Sequence, residues 1–155
     1  MAGKARPIIG VIGAGQCPSE ISQMAEAVGR AIAQKGGILV CGGRGGIMES
    51  AAKGARENGG ITIGILPGSS RNEANPYIDI IIPTGLAEAR NLVIINTADV
   101  VIALPGKYGT LSEMAFCLKV GKPLLSLGAW DISKDIEKFE FPEEAVARAF
   151  DLAGK

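Results

Sequence analysis

The sequence VVIALPGKYGTLSE spans residues 100–113 and contains the strand-to-helix junction that decides the fold. Its first five residues are apolar, as in a buried strand, and a helical pattern runs from Gly109 to Val120. The glycines between them lie where the strand turns into the helix. A helix N-terminus presents unpaired N–H groups and the positive end of the helix dipole, which favour a bound anion. We therefore expect a phosphate at this junction, with the carboxylate of Glu113 in the first turn of the helix.

Strand and helix patterns alternate along the rest of the chain. Short apolar runs predict strands at residues 7–12, 38–41, 61–66, 77–82, 100–104 and 123–127. Amphipathic patterns predict helices at 19–35, 47–58, 86–97, 109–120 and 143–152, with Ser19 as a cap of the first. Continuous apolar strands separated by helices favour a parallel sheet covered on both faces. The prediction is α/β: one domain over residues 1–155, a Rossmann-like doubly wound parallel sheet flanked by helices.

Glycine-rich loops follow three of the predicted strands, at residues 13–15, 42–46 and 105–109. Ligands of such sheets bind at the carboxyl ends of the strands, so we expect the loops to converge on one site. The first loop departs from the dinucleotide fingerprint, because Pro18 replaces the third glycine, and NAD or FAD binding is disfavoured. The candidate ligand-binding residues are Gly13, Gly15, Gly42, Gly43, Arg44, Gly45, Gly46, Pro105, Gly106, Lys107, Tyr108, Gly109 and Thr110.

Composition excludes several classes of function. Sixteen basic and sixteen acidic residues cancel, which disfavours nucleic acid as a partner. The chain has no histidine, which excludes Ser-His-Asp and Cys-His catalysis, and no metal site is predicted. No apolar run approaches the roughly 20 residues of a membrane span, so we expect a cytoplasmic protein without a membrane partner. The three cysteines, Cys17, Cys41 and Cys117, are expected to be free thiols.

Two motifs carry a resemblance to a known superfamily. The segments GGRGGIME at 42–49 and PGKYGTLSE at 105–113 resemble those of the LONELY GUY-type phosphoribohydrolases, once misnamed "possible lysine decarboxylase". That superfamily also includes molybdenum cofactor carrier proteins, and the resemblance covers roughly residues 7–128. It implies that the glycines and Thr110 bind a 5′-phosphate and that Glu113 is catalytic together with Arg90. It also implies a small phosphorylated ligand, no required cofactor and a homodimer or higher homo-oligomer, with residues 92–95 and 111–120 at its interface.

The same motifs depart from the phosphoribohydrolase pattern. Lys107 replaces a glycine, and the Met, His and Lys that accompany the arginine in those enzymes are missing around Arg90. Two functions therefore stay open. One is hydrolysis of the N-glycosidic bond of a nucleoside 5′-monophosphate to free base and ribose 5-phosphate, for which no histidine can protonate the leaving base. The other is a non-catalytic carrier or sensor of a phosphorylated cofactor such as molybdenum cofactor, for which the charge of Lys107 is suited.

Each catalytic candidate also has a structural interpretation. Thr110-x-x-Glu113 matches a capping box, in which the glutamate would satisfy a backbone N–H. Arg90 lies in a helical pattern, where most arginines are solvated. Trp130 is expected to be a packing or interface residue. The positions of these side chains relative to the glycine loops decide between the interpretations.

Overall fold

The computed structural model describes residues 5–154, which form one seven-stranded parallel sheet with helices on both faces. The strands are β1 (Ile8–Ile12), β2 (Ile38–Cys41), β3 (Ile61–Leu66), β4 (Ile80–Pro83), β5 (Val100–Ala103), β6 (Leu124–Ser126) and β7 (Glu137–Lys138). The helices are α1 (Ser19–Gln34), α2 (Ile47–Glu57), α3 (Arg90–Thr97), α4 (Tyr108–Val120) and α5 (Pro142–Ala153). Short 3-10 turns lie at Arg71–Glu73 and Ala87–Ala89. The predicted α/β fold is confirmed.

The strand order is β4-β3-β2-β1-β5-β6-β7, with every pair parallel. The chain builds outward from β1 in one direction and then returns to add β5 on its other side. Helices α1, α2 and α5 pack on one face of the sheet, whereas α3 and α4 pack on the other. The connections that leave β1 and β5 therefore diverge to opposite faces. This divergence opens a crevice at the carboxyl ends of the two strands, where such sheets bind ligands.

Helices α1 and α2 touch backbone to backbone, which fixes the two loops that precede them. A Cβ on Gly29 would lie 1.9 Å from the carbonyl oxygen of Ala51, and one on Gly54 would lie 2.0 Å from that of Glu26. Any side chain at either position would push the helices apart. The hydroxyls of Ser22 and Ser50 hydrogen-bond across the same contact at 2.6 Å.

The structure corrects several predicted boundaries. Pro18, not Ser19, occupies the N-cap position of α1, and no side chain caps that helix. Strand β4 begins at Ile80 rather than at residue 77, because the Thr62 hydroxyl holds the preceding segment in a turn: it donates to the Tyr77 carbonyl and accepts from Asp79 N–H. Strand β7 was not predicted, because both of its residues are exposed and charged and therefore form no apolar run.

Two further predictions concern the state of the cysteines and the absence of a membrane span. All three cysteines are free thiols, as expected; Cys41 and Cys117 are buried and Cys17 is half-buried. Over residues 5–154, no helix combines the length and apolar character required to cross a membrane.

Candidate functional site

A cleft of about 1160 Å³ opens at the crevice beside β1 and β5. The loops converge there because Ala14 N–H donates to the Pro105 carbonyl and Ile47 N–H donates to the Ala14 carbonyl, each at 3.0 Å. All three glycine-rich loops line the cleft, so the predicted convergence is confirmed. The predicted loop residues in its wall are Gly13, Gly15, Gly42, Arg44, Gly45, Lys107, Tyr108, Gly109 and Thr110.

Four of the predicted ligand-binding residues, Gly43, Gly46, Pro105 and Gly106, do not line the cleft. Gly43 and Gly46 adopt positive φ angles of 77° and 65°, which favour glycine on backbone grounds. A Cβ on Gly106 would lie 2.0 Å from Oγ1 of Thr110. The Pro105 carbonyl accepts the bond that joins two of the loops. These residues shape the loops rather than form the wall of the cleft.

The N-terminus of α4 opens into this cleft. The helix begins at Tyr108 with Lys107 as its N-cap, and no side chain caps it. Its first hydrogen bond runs from Leu111 N–H to the Lys107 carbonyl at 3.0 Å, so the N–H groups of the first turn precede the helical ladder. No atom lies within 4 Å of a Cβ built on Gly109. The backbone here is open to close approach by an anion.

The capping-box interpretation of Glu113 is wrong. Because α4 begins at Tyr108, Thr110 lies inside the helix rather than at its N-cap, and Glu113 lies in the second turn rather than the first. Thr110 is buried and Glu113 is only 8% exposed. The glutamate therefore lies in the wall of the cleft, without the structural role that would explain it.

Glu113 is a buried carboxyl in a largely apolar setting. Burial raises its pKa to about 7, and the positive charge of Arg90 opposes this shift without cancelling it. No residue in the described range 5–154 donates a hydrogen bond to this carboxyl. The thiols of Cys41 and Cys117 are nearby, and burial raises their pKa values to about 11 and about 12. The negative charge of Glu113 adds a smaller upward contribution to each pKa, and for Cys41 the Gly43 N–H and the charge of Arg90 oppose it. Both thiols therefore stay protonated at neutral pH and are poor nucleophiles.

Arg90 is anchored rather than solvated. Its Nη1 donates to the carbonyl oxygens of Gly42 and Ile65, both at 2.9 Å, which ties α3 to the ends of β2 and β3. A Cβ on Gly42 would lie 2.1 Å from this nitrogen, so only glycine leaves room for it. Burial lowers the pKa of the guanidinium, and the charge of Glu113 acts in the opposite direction. Nε and Nη2 make no hydrogen bond to any residue that the structure describes, and they are free to donate to a ligand.

Asn75 is a contributor to the site that the sequence did not reveal. Its Nδ2 donates to the Arg44 carbonyl and its backbone N–H donates to the Gly43 carbonyl, both at 2.8 Å. Its Oδ1 accepts from Tyr77 N–H at 3.0 Å. One side chain thus fixes the loop that carries Arg44. An asparagine in a polar loop is common, so only the fold reveals this contact.

Further residues line the cleft without having been predicted: Gln16, Met48, Glu88, Asn91, Ser112 and Phe116. Charge is unevenly distributed around the cleft. Arg44 and Lys107 are exposed on separate loops, and Arg44 is close enough that its charge lowers the pKa of Arg90, though less than burial does. The loops therefore present cations and open amides, whereas α4 presents a buried acid.

Comparison with known proteins places this architecture in a family. The model of the SLOG cluster4 family matches residues 6–152. An uncharacterized protein from Archaeoglobus fulgidus is 46% identical over 138 residues, which cover 89% of this chain and 91% of that protein. A cytokinin riboside 5′-monophosphate phosphoribohydrolase from Mycobacterium marinum is 37% identical over 98 residues, which are 61% of this chain and about half (52%) of the relative.

A solved structure is similar over almost the whole chain. The molybdenum cofactor binding protein from Rippkaea orientalis superposes with a TM-score of 0.91 at 35% identity, covering 97% of this chain and 99% of that one. The resemblance expected from the two glycine motifs is therefore confirmed, and it extends beyond the segment that carries them. The chain belongs to the SLOG cluster4 family, within the LONELY GUY-like superfamily.

Proposed function

We propose that this protein binds a nucleoside 5′-monophosphate in the cleft and hydrolyses its N-glycosidic bond to free base and ribose 5-phosphate. The observation that carries the proposal is Glu113: a buried carboxyl in the cleft wall, close to Arg90 and without a hydrogen-bond donor among the described residues. Burial of an acid without a hydrogen-bond donor lowers stability, and such carboxyls with a raised pKa in a cleft are typical of functional sites. The similarity to a phosphoribohydrolase supports the same assignment.

The phosphate would lie at the N-terminus of α4. The open amides of Tyr108, Gly109 and Thr110 can donate to its oxygens, with the helix dipole adding to the attraction. Such charge-assisted hydrogen bonds are about twice as strong as neutral ones. Arg44 and Lys107 add positive charge from two sides of the same cleft. In this proposal the ribose would extend from the phosphate toward Glu113.

Hydrolysis breaks the bond between C1′ and the base nitrogen, with the bonding pair leaving on the base. Positive charge develops on the ribose, and the ionised form of Glu113 stabilises it. Water then forms the new bond to C1′ and gives its proton to the carboxylate. Since the pKa of Glu113 is about 7, the acid can pass that proton on to the departing base. A single carboxyl thus supplies the proton transfer for which the chain has no histidine.

Arg90 would hold the ligand beside this carboxyl. Its Nη1 is committed to two backbone carbonyls, which leaves Nε and Nη2 for phosphate or ribose oxygens. A guanidinium supplies these two functions at once because its donors lie in a fixed fork. Lysine could not replace it, since a single ammonium would have to abandon either the anchor or the ligand.

The test is a hydrolysis assay with a panel of nucleoside monophosphates, including AMP and an N6-substituted analogue, in which free base and ribose 5-phosphate are both quantified. We expect release by the wild type and a loss of about 100-fold or more in Glu113→Gln. The matched control is Glu88→Gln, which makes the same change at an exposed carboxylate of the cleft rim. Unchanged turnover in Glu113→Gln, or no release from any monophosphate, would contradict the proposal.

A second candidate function is that of a non-catalytic carrier of a phosphorylated cofactor such as molybdenum cofactor. It is favoured by the likeness to the molybdenum cofactor binding protein over 97% of this chain, and by Lys107, whose charge suits a ligand more anionic than a monophosphate. Oxidised extracts of the purified protein would then show pterin fluorescence. We expect Lys107→Gly to lose the pterin, whereas Lys134→Gly, an exposed lysine outside the cleft, keeps it. Pterin-free protein that releases base would reject the carrier.

We also propose that the protein is a cytoplasmic homodimer that uses the face of α3 and α4. Ile94 and Ile95 of α3 are buried against the sheet, and the large aliphatic side chains that these two helices expose most are Leu92 and Val120. Light scattering in solution should give twice the mass of one chain. The double variant Leu92→Asp, Val120→Asp should give the mass of a single chain, and an unchanged mass would exclude this face.

A further inference from the structure

Two aromatic rings are stacked at the mouth of the cleft. Tyr108, the first residue of α4, lines the cleft and is 79% exposed. The ring of Trp130 lies parallel to it, with 6.3 Å between centroids and 21° between planes. Both belong to the 5% of the chain that is aromatic, and Trp130 is its single tryptophan. At the edge of the cleft, an exposed aromatic ring offers a flat apolar surface on which a ligand ring can stack.

The position of Trp130 determines which face of Tyr108 is open. The indole N–H of Trp130 donates to the Lys107 carbonyl at 3.1 Å, which fixes the ring to the loop before α4. Trp130 lines a second pocket of about 280 Å³ together with Pro105 and Gly106, and it is not part of the wall of the main cleft, which Tyr108 lines. The two linings indicate that Trp130 stacks on the face of Tyr108 that is turned away from the cleft. The opposite face remains available on the cleft side.

We propose that this open face of Tyr108 stacks against the planar heteroaromatic ring of the ligand, with Trp130 as the residue that positions it. This subsite rests on the proposed function, because it presumes that the phosphate is held by the amides at the start of α4. Tyr108 contributes both a backbone N–H to that group and a side chain about one sugar length away. The ligand class that satisfies both contacts is a nucleobase carried on a phosphorylated ribose.

The experiment compares two ligands that differ only by the ring. AMP and ribose 5-phosphate share the phosphate and the sugar, so the ratio of their dissociation constants isolates the contribution of the base. Calorimetric titrations are made in the Glu113→Gln background, where AMP stays intact, and the ring substitutions are made in the same background. We expect AMP to bind about tenfold more tightly, as is typical of a base stacked on an aromatic side chain. AMP, but not ribose 5-phosphate, should also quench the fluorescence of Trp130.

Substitutions of Tyr108 and Trp130 then test whether these residues form the stacking contact with the base. Tyr108→Ala should bring the ratio close to one, and Tyr108→Phe, which keeps the ring, should restore it. Trp130→Ala should lower the same ratio and Trp130→Phe should recover it, because a phenyl ring still backs Tyr108. Equal affinities in Glu113→Gln, or a ratio that Tyr108→Ala leaves unchanged in that background, would overturn the subsite. If neither ligand binds, the phosphate site itself is wrong and the subsite falls with it.

Discussion

Replacing Glu113 by glutamine should stabilise the protein at alkaline pH, and this prediction tests the state of the buried carboxyl. The pKa is about 7 in the folded protein, compared with an ordinary value of 4.5. The folded state therefore retains its proton at pH values where the unfolded chain has lost it, and the free energy of unfolding falls as pH rises from about 4.5 to about 7. At about 1.4 kcal/mol per pH unit, this interval corresponds to about 3 kcal/mol.

Glutamine keeps the size of the side chain but does not ionise. The variant should therefore match the wild type closely at pH 5 and exceed it by up to about 3 kcal/mol at pH 8. For a chain of this length, that gain corresponds to a rise in Tm of roughly 6–12 °C. Thermal and urea unfolding at the two pH values measure it, with Glu88→Gln as the control that should show no such pH dependence. The reasoning would be refuted if the stability difference between Glu113→Gln and the wild type were the same at both pH values. It would also be refuted by a variant that is less stable than the wild type at pH 8, which would show that the attraction between Glu113 and Arg90 exceeds the burial penalty.

Three other substitutions test how the residues of the cleft contribute to binding, catalysis and stability. Gly109→Ala should raise stability by up to about 1 kcal/mol, since it adds a good helix former in open space, yet weaken ribose 5-phosphate binding about tenfold because the methyl enters the cleft; unchanged calorimetric affinity would contradict the phosphate site. Gly42→Ala should displace Arg90 and lower kcat/KM for base release as far as Arg90→Ala does, with the circular dichroism spectrum kept. Asn75→Asp should reduce stability by about 1–3 kcal/mol and weaken ligand binding, because a carboxylate would face the Arg44 carbonyl in place of the amide donor. Urea unfolding measures the first loss and calorimetry the second, and a variant that shows neither would refute the role of this contact.

The fold could be predicted because parallel strands buried on both faces appear in sequence as continuous apolar runs. The elements that were misplaced lack that signal. Strand β7 consists of two charged residues, Glu137 and Lys138, and exists only because it pairs with β6 at the sheet edge. The start of α3 is set by Ala87, which adopts a φ of 53° that nothing in an alanine side chain indicates.

The site was predicted in its parts but not in its contacts. The glycine loops were placed correctly, yet sequence could not show that Gly109 faces open space whereas Gly106 is hemmed in by Thr110. The sequence left Arg90 open between a solvated and a catalytic residue, because its partners, Gly42 and Ile65, lie 48 and 25 residues away along the chain. Such long-range bonds follow from the order of the strands, which periodicity does not specify.

The choice between hydrolase and carrier depends on Glu113 more than on Lys107. An exposed lysine at the cleft mouth adds charge to either function, and its flexible side chain leaves the α4 amides accessible. A buried carboxyl whose ionisation is unfavourable by about 3 kcal/mol has no evident use in a carrier for anions, since its negative charge would repel the cargo. In a hydrolase the same charge is directed at the cation that develops on the ribose. The buried acid therefore favours catalysis, whereas the overall shape is compatible with both functions.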